Sequence, residues 1–358
     1  MSTTEVSSHR MQIFHPYDAE DIQKIICEAR ENGLTIKYYG GSFPVSKEGV
    51  DIVIKLDNMR RFIFYDPEEQ TFTFEGGLTI SEVLQSMEYL NYTLELYGII
   101  PDMTVADAVS VGLMGSNGTI AHCLKSCQVI HADGALIDWV WPTPEEVSNR
   151  SVNIPTERHF LPTLQTVVCG LGVFGIVSTA TFKCIPIHLA QETVFECPLN
   201  EMVNNWQQLL NVASYCKGIK WSLPADKLQS VIEDIGIWSK HRFYLCSTPI
   251  LIAVQTHQAP SHHPYLSPYT ERKTCTLWTD WFNSRSITSS YSATMAEFEA
   301  LLQKNGGRKC WSAGPVYASP LIGQMYPGFR QWCETRTILD PTNMLRSGYV
   351  VGDLLVKG

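Results

Sequence analysis

Basic residues are few and dispersed. The 27 lysines and arginines are outnumbered by 36 acidic residues, the formal charge is −9, and no basic run exceeds two residues. Binding a nucleic-acid backbone needs clustered positive charge, so nucleic acid is excluded as a main partner. An apolar leader is also missing, because the opening MSTTEVSSHRM has no hydrophobic core of the signal-peptide kind. The long uncharged window Leu161–Phe182 holds Gly170, Gly172 and Gly175 among β-branched residues and threonines. That composition suits strand–turn–strand better than a lipid-facing helix, so the chain reads as soluble and cytoplasmic, with no transmembrane segment. Metal chemistry has little support. The eleven cysteines are scattered from Cys27 to Cys333, and the one close pair, Cys123 and Cys127, has no second pair to complete a zinc site. Reduced, buried thiols are the expectation. Phosphate-loop, zincin and nucleophile-elbow motifs are absent, as are internal repeats and low-complexity tracts.

What is present is a globular composition, 44% hydrophobic and 18% charged, over 358 residues. That length exceeds what one hydrophobic core usually serves, so two domains are expected. Asp18 is placed to cap a helix carrying Ile22, Ile25, Ile26 and Ala29 at helical spacing, with Gly33 as its stop. IKYY, DIVIKL and FIFYD follow as strand-like runs, and TFTFEGG alternates Phe72 and Phe74 against Thr71, Thr73 and Glu75. Thr79 and Glu82 have capping-box spacing for a second helix, so the N-terminal third reads α-β-β-β-α. Asp133-Gly134 lies between two apolar runs, which signals a type I′ hairpin. Further on, Leu199–Val212 and Pro224–Ile235 look helical, Pro249–Val254 looks like an apolar strand, and helices are expected near Met295–Gln303 and Tyr326–Leu339.

Three loops rich in small residues fall in the first half: Gly40-Gly41-Ser42, Gly112–Gly118 and Gly172–Gly175. Successive backbone N–H groups in such loops can hold a pyrophosphate, although each loop alone is more often an ordinary turn. A dinucleotide fingerprint requires strand, glycine turn, then helix. Here Gly41-Ser42 leads into Phe43-Pro44 and another strand-like run, so a nicotinamide dehydrogenase is disfavoured.

The joint order of these loops with GIIPDMTVADAVSVGLMGSNG, VIHADGALIDW and GLGVFGIVSTATFKCIP resembles the FAD-binding (PCMH-type) domain of the vanillyl-alcohol oxidase superfamily. The later pieces KWSLPADKL, YLSPY, NGGRKCW and QMYPGFRQWCETRTILDPTNMLRSGYV look like the sugar-1,4-lactone oxidases of the gulonolactone and arabinonolactone type. The resemblance implies an α+β fold: a two-subdomain FAD-binding domain over 1–190, a reduced cap over 191–320, and C-terminal helices over 321–358 returning to the FAD side. It implies FAD as cofactor, a small-molecule CH–OH donor as substrate, and dioxygen or a carrier as final acceptor. Carried over residue by residue, the flavin- and pyrophosphate-contacting positions are Gly40, Gly41, Ser42 and Phe43; Thr104, Val105, Ser110 and Gly112; Gly115 and Ser116; and Gly172, Gly175 and Ile176. Small residues suit backbone approach to a cofactor.

The departures from that pattern are informative. Phe43 stands where the family carries the histidine that bonds to flavin, so any FAD is expected to be non-covalent. Asp107 stands where the family has glycine, and its charge would oppose a pyrophosphate. The family's Glu- and Arg-bearing strand aligns on Ile250–Ala253, and its His-Trp-x-Lys motif aligns on Cys310–Ala313, so four charged or proton-handling groups are gone. Most of the first half of the cap is also missing. Tyr97, Trp311, Arg308 and Lys309 are the candidates left near a ring, but spacing places none of them and catalytic residues stay unassigned. Two readings stand. One is a flavoprotein oxidoreductase like the aldonolactone oxidases. The other is a degenerate scaffold, with or without flavin, that serves as a binding module.

Overall fold

The computed structural model describes residues 11–40, 50–97, 99, 101–115, 118–142, 163–188, 219–242, 250–257, 264–281, 288–313, 316–317, 322–347 and 350–351. The first half runs β1 (Gln12–Phe14), α1 (Ala19–Glu31), β2 (Ile36–Tyr39), β3 (Ile52–Lys55), β4 (Phe62–Asp66), β5 (Thr71–Glu75) and α2 (Ile80–Glu88). It continues through β6 (Tyr92–Thr93), α3 (Val105–Val111), α4 (Ile120–Cys123), β7 (Leu124–Ile130), β8 (Leu136–Val140), β9 (Ile176–Lys183) and β10 (Ile185–Pro186). The second half contributes β11 (Ile219–Pro224), β12 (Ile250–His257), β13 (Thr274–Trp281), β14 (Arg308–Lys309), β15 (Val316–Tyr317), β16 (Leu345–Arg346) and β17 (Val350–Val351). Both helices and strands build the fold, as the α+β reading requires.

Local signals explain the first elements. Asp18 accepts the Asp21 amide at 2.9 Å and caps α1, whose buried stripe is Ile22, Ile25, Ile26 and Ala29. Such a cap is worth about 1 kcal/mol. Gly33 takes φ 65° just past the helix end. The capping box of α2 forms in both directions, with Glu82 N bonded to Thr79 Oγ1 and Thr79 N bonded to Glu82 Oε2.

Two sheets form the larger unit. One is four-stranded and parallel, in the order β1-β3-β2-β16. The other is five-stranded and antiparallel, in the order β4-β5-β9-β7-β8. In β5 the two phenylalanines are fully buried on one face, and the opposite face is largely buried too. Glu75, on that opposite face, accepts the Arg61 amide at 2.7 Å and the Arg61 guanidinium at 2.7 and 3.0 Å.

Two local expectations are corrected. The β7–β8 hairpin does not use a type I′ turn. Gly134 N bonds to His131 O and His131 N to Ala135 O, and within the turn positive φ occurs at Gly134 alone (86°). A type I′ turn needs it at both central residues. Asp133 instead accepts the Ala135 amide on Oδ1, and α1 seizes the turn through Gln23 to Gly134 O and Arg30 to Asp133 O. A Cβ on Gly134 would lie 2.8 Å from Cys27 Sγ, so glycine also serves close packing against α1. The uncharged segment 163–182 is a helical turn, Leu164–Val167, followed by β9, where two strands were expected. Thr163 opens that turn, and Val167 O accepts the Gly170 amide to close it.

The hairpin also buries a histidine. Trp139 Nε1 donates to His131 Nε2 at 3.0 Å, and the rings stack with centroids 5.0 Å apart. Burial lowers the His131 pKa below its ordinary value of 6.5, partly offset by Asp133. The unfolded chain therefore binds the proton more readily than the folded one. His131 contributes its full stability above about pH 6.5 and loses it as pH falls below that value. We expect the melting temperature to fall less between pH 7 and pH 5 in His131→Gln than in the wild type. Equal slopes would contradict this.

The second unit is the antiparallel sheet β12-β13-β11-β14 with the helices Leu228–Arg242 and Thr288–Lys304. Trp221, Leu223, Val231, Ile235, Leu277, Phe298 and Leu302 form its core. The chain then returns. The helix Phe329–Leu339 buries Trp332 in the main core, and Asp340 accepts the amides of Met344 and Leu345 at 2.9 and 2.7 Å. That carboxylate turns the chain into β16, which pairs with β2 through Leu345↔Ile36 and Arg346↔Lys37. No helix among the described residues is long and apolar enough to cross a membrane. The expected helix Leu199–Val212 lies outside the described residues.

Candidate functional site

Gly40, Gly112 and the segment that leads into Gly172 meet at one short helix. All seven residues of α3 are buried, and each of its ends is met by a different part of the chain. Thr104 caps it, with its hydroxyl accepting the Asp107 amide at 3.3 Å. The amides of Val105 and Ala106 donate to Leu78 O and Gly76 O at 2.8 and 2.9 Å. Gly76 and Gly77, at the end of β5, are dictated by close packing against other neighbours: a Cβ on Gly76 would meet Val177 O at 2.3 Å and one on Gly77 would meet Leu56 O at 1.8 Å. The sequence reading had not singled them out, although the Glu-Gly-Gly ending of an alternating strand was the available signal.

Gly40 closes β2 against the start of α3. A Cβ there would sit 1.6 Å from Thr104 Oγ1, and its amide donates to Asp107 Oδ1 at 2.8 Å. Beside it the hydroxyls of Tyr38 and Ser110 are hydrogen-bonded, and burial raises the Tyr38 pKa, keeping the phenol neutral. Gly112 ends α3 in the left-handed region at φ 60°, with its Cβ position 2.1 Å from Cys169 Sγ. The carbonyls at the end of a helix lack intrahelical partners. Here the amides of Cys169 and Leu171 take those of Val109 and Ser110 at 3.1 and 2.9 Å. These bonds hold Cys169 and Leu171 at φ 60° and 55°, unusual for residues with side chains. Gly172 turns the chain at φ 77°, Gly175 packs against Val129 and Ile130, and Ile176 starts β9 opposite Ile130. Gly115 lies under Leu96 and Tyr97, and its amide donates to Gly118 O.

The structure thus brings Gly40, Thr104, Val105, Ser110 and Gly112 together at one buried helix, with Gly115 on the loop that leaves it; Gly172 follows Leu171, which bonds to the end of that helix, whereas Gly175 and Ile176 lie against β7. Gly41, Ser42, Phe43 and Ser116 lie outside the described residues.

The candidates for contact with a ring have other partners. Arg308 donates to Thr270 O at 2.9 Å and lies over the Tyr326 ring at 4.9 Å. Lys309 pairs with Glu299 at 2.7 Å, Trp311 Nε1 donates to Leu266 O at 2.7 Å, and the Tyr97 hydroxyl bonds His188 Nε2 at 2.9 Å. Cys310 is buried with Met114 and Tyr269 where the second sheet meets the α3 loop. Among the described residues, no group of three or more His, Cys, Asp or Glu could hold a metal.

Comparison with known proteins fixes what this arrangement is similar to. Residues 11–139 match the model of the FAD binding domain, and residues 217–352 match that of D-arabinono-1,4-lactone oxidase. Over these two regions the chain resembles PCMH-type, sugar-lactone-oxidase-like proteins. It is 19% identical to L-gulonolactone oxidase of Bos taurus, over 94% of this chain and 93% of that protein. It is 25% identical to D-arabinono-1,4-lactone oxidase of Candida albicans over 55% of this chain and 36% of that protein. L-galactono-1,4-lactone dehydrogenase, mitochondrial, of Arabidopsis thaliana is 21% identical over 56% and 31% respectively. The bovine alignment runs over 428 positions, more than this chain's 358 residues, so that relative carries segments missing here. Among solved structures, a Phl p 4 variant described as a glucose oxidase superposes with a TM-score of 0.62 at 14% identity, covering 97% of this chain and 91% of that one. That likeness carries the fold.

The FAD match makes the donor set at α3 testable. A diphosphate needs open amides, and at this helix the first-turn amides and the Gly40 amide are all taken by the chain itself. The described residues at this turn therefore do not fit a diphosphate in the state seen.

Proposed function

We propose that the chain is a FAD-dependent oxidoreductase acting on a CH–OH donor, related in mechanism class to the D-arabinono- and L-gulono-1,4-lactone oxidases. It holds its flavin non-covalently, because Phe43 offers no atom that can bond to the ring. The observation that carries this reading is the physical union of the two matched regions. β16 lies in the segment similar to the arabinonolactone oxidase, and it completes the parallel sheet of the segment similar to the FAD binding domain. The returning segment thus ties the second matched region to the cofactor domain, and in this reading the unit between them serves as the cap. We assign the FAD domain to 1–190, the cap to 191–320 and the returning helices to 321–358. Gly41, Ser42, Phe43, Gly115, Ser116, Gly172, Gly175 and Ile176 are the cofactor-facing positions in this reading, with dioxygen or a carrier as electron acceptor.

A bound flavin would supply the two-electron acceptor. The alternative, a flavin-binding or flavin-free module without catalysis, is favoured by Asp107 on the Gly40 amide and by the uncharged Ile250–Ala253 strand. Anaerobic mixing of the FAD-saturated protein with a panel of CH–OH donors separates the two. Bleaching of the flavin band by any donor supports the oxidoreductase; a band that persists through the whole panel supports the binding module.

A further inference from the structure

Glycine turns recognise phosphate by aiming backbone amides at an oxyanion. In this chain an oxyanion is already there. The fully buried Asp107 carboxylate reaches back from the first turn of α3 to the glycine turn after β2, and its Oδ1 accepts the Gly40 amide at 2.8 Å. Its second oxygen lies 2.9 Å from the position a Gly40 Cβ would take, so both oxygens lie against Gly40. Thr104 Oγ1 fills the remaining gap between β2 and α3.

We propose that Asp107 is a built-in competitor of the cofactor, a side-chain anion that occupies the position a diphosphate oxygen would take at the Gly40 turn. This inference rests on the reading of the chain as a FAD-binding protein. Two anions cannot share one amide, and their repulsion is strong where water is excluded. FAD therefore binds only when the carboxylate is withdrawn from Gly40, and the wild-type affinity is reduced by the cost of that withdrawal. A segment 67 residues away in sequence thereby controls access to the turn.

The test is a titration of the full-length wild type, Asp107→Asn and Asp107→Gly with FAD, followed by quenching of flavin and tryptophan fluorescence. Asn keeps the volume and an oxygen for the Gly40 amide while removing the charge; Gly removes both. Circular dichroism melts confirm that each variant is folded, and the Asn variant guards against loss of fold in the Gly variant. We expect both variants to bind FAD at least about tenfold more tightly than the wild type, about 1.4 kcal/mol. If wild type and variants bind FAD equally, or the variants bind more weakly, Asp107 is only a strut between β2 and α3 and the inference falls while the FAD reading stands. If none of the three folded proteins binds FAD, the inference and the FAD reading fall together.

Discussion

FAD-saturated protein mixed anaerobically with L-gulono-, L-galactono- or D-arabinono-1,4-lactone is expected to keep its flavin band. The relatives bear the names of enzymes acting on these lactones, but the resemblance read from the sequence sets the family's Glu- and Arg-bearing strand on Ile250-Leu251-Ile252-Ala253. That strand is the edge of the second sheet, paired only with β13 among the described strands. The same resemblance sets the family's histidine and lysine on Cys310 and Ala313, and Cys310 is buried against Met114 and Tyr269. A sugar hydroxyl enclosed without a partner forfeits about 1–3 kcal/mol. Each missing donor to a developing charge costs roughly 100–1000-fold in rate. Losses of this kind leave lactone oxidation far below that of an intact site, and a less polar donor is the better fit. Rapid bleaching at millimolar lactone would show that other side chains have replaced the missing groups.

The second large effect is structural. Gly112→Ala is expected to destabilise the protein by about 2–5 kcal/mol, a large share of the 5–15 kcal/mol typical of a folded chain. Two costs combine. Alanine at φ 60° is strained, and its Cβ would lie 2.1 Å from Cys169 Sγ. Replacing Cys169 with alanine removes the sulfur, so Gly112→Ala combined with Cys169→Ala should lose less stability than the two single changes added together. Urea titrations of the four proteins measure the coupling, which we expect to exceed about 1 kcal/mol. Additive losses would mean that backbone strain alone dictates glycine here.

Much of this arrangement was legible in the sequence because its signals are local. Asp18 with its isoleucine stripe and Thr79 with Glu82 act within one or two helical turns, and both helices form where those residues put them. The small-residue run from Thr104 to Gly112 forms α3, but that all seven of its residues are buried is seen only in the structure. What escaped depends on partners far along the chain. β1 is three residues long and exists because Gln12, Ile13 and Phe14 pair with Ile52, Val53 and Ile54. The hairpin turn after Ile130 took its form from α1, whose Gln23 and Arg30 bind its carbonyls. Asp107 was visible as a misplaced charge, but no local pattern reveals that its carboxylate reaches the Gly40 amide. Lys309 shows the reverse case, a cation beside an expected site that is committed to Glu299.

The central claim is that this chain binds FAD on the α3 scaffold without a covalent link. Equilibrium dialysis of the purified protein against excess FAD, followed by acid precipitation of the protein compartment, tests it most directly. The account predicts that the visible flavin bands accumulate with the protein to a single equivalent at saturation, and that all of this flavin is recovered in the supernatant after precipitation. No excess flavin on the protein side, or flavin that stays in the pellet, would contradict it.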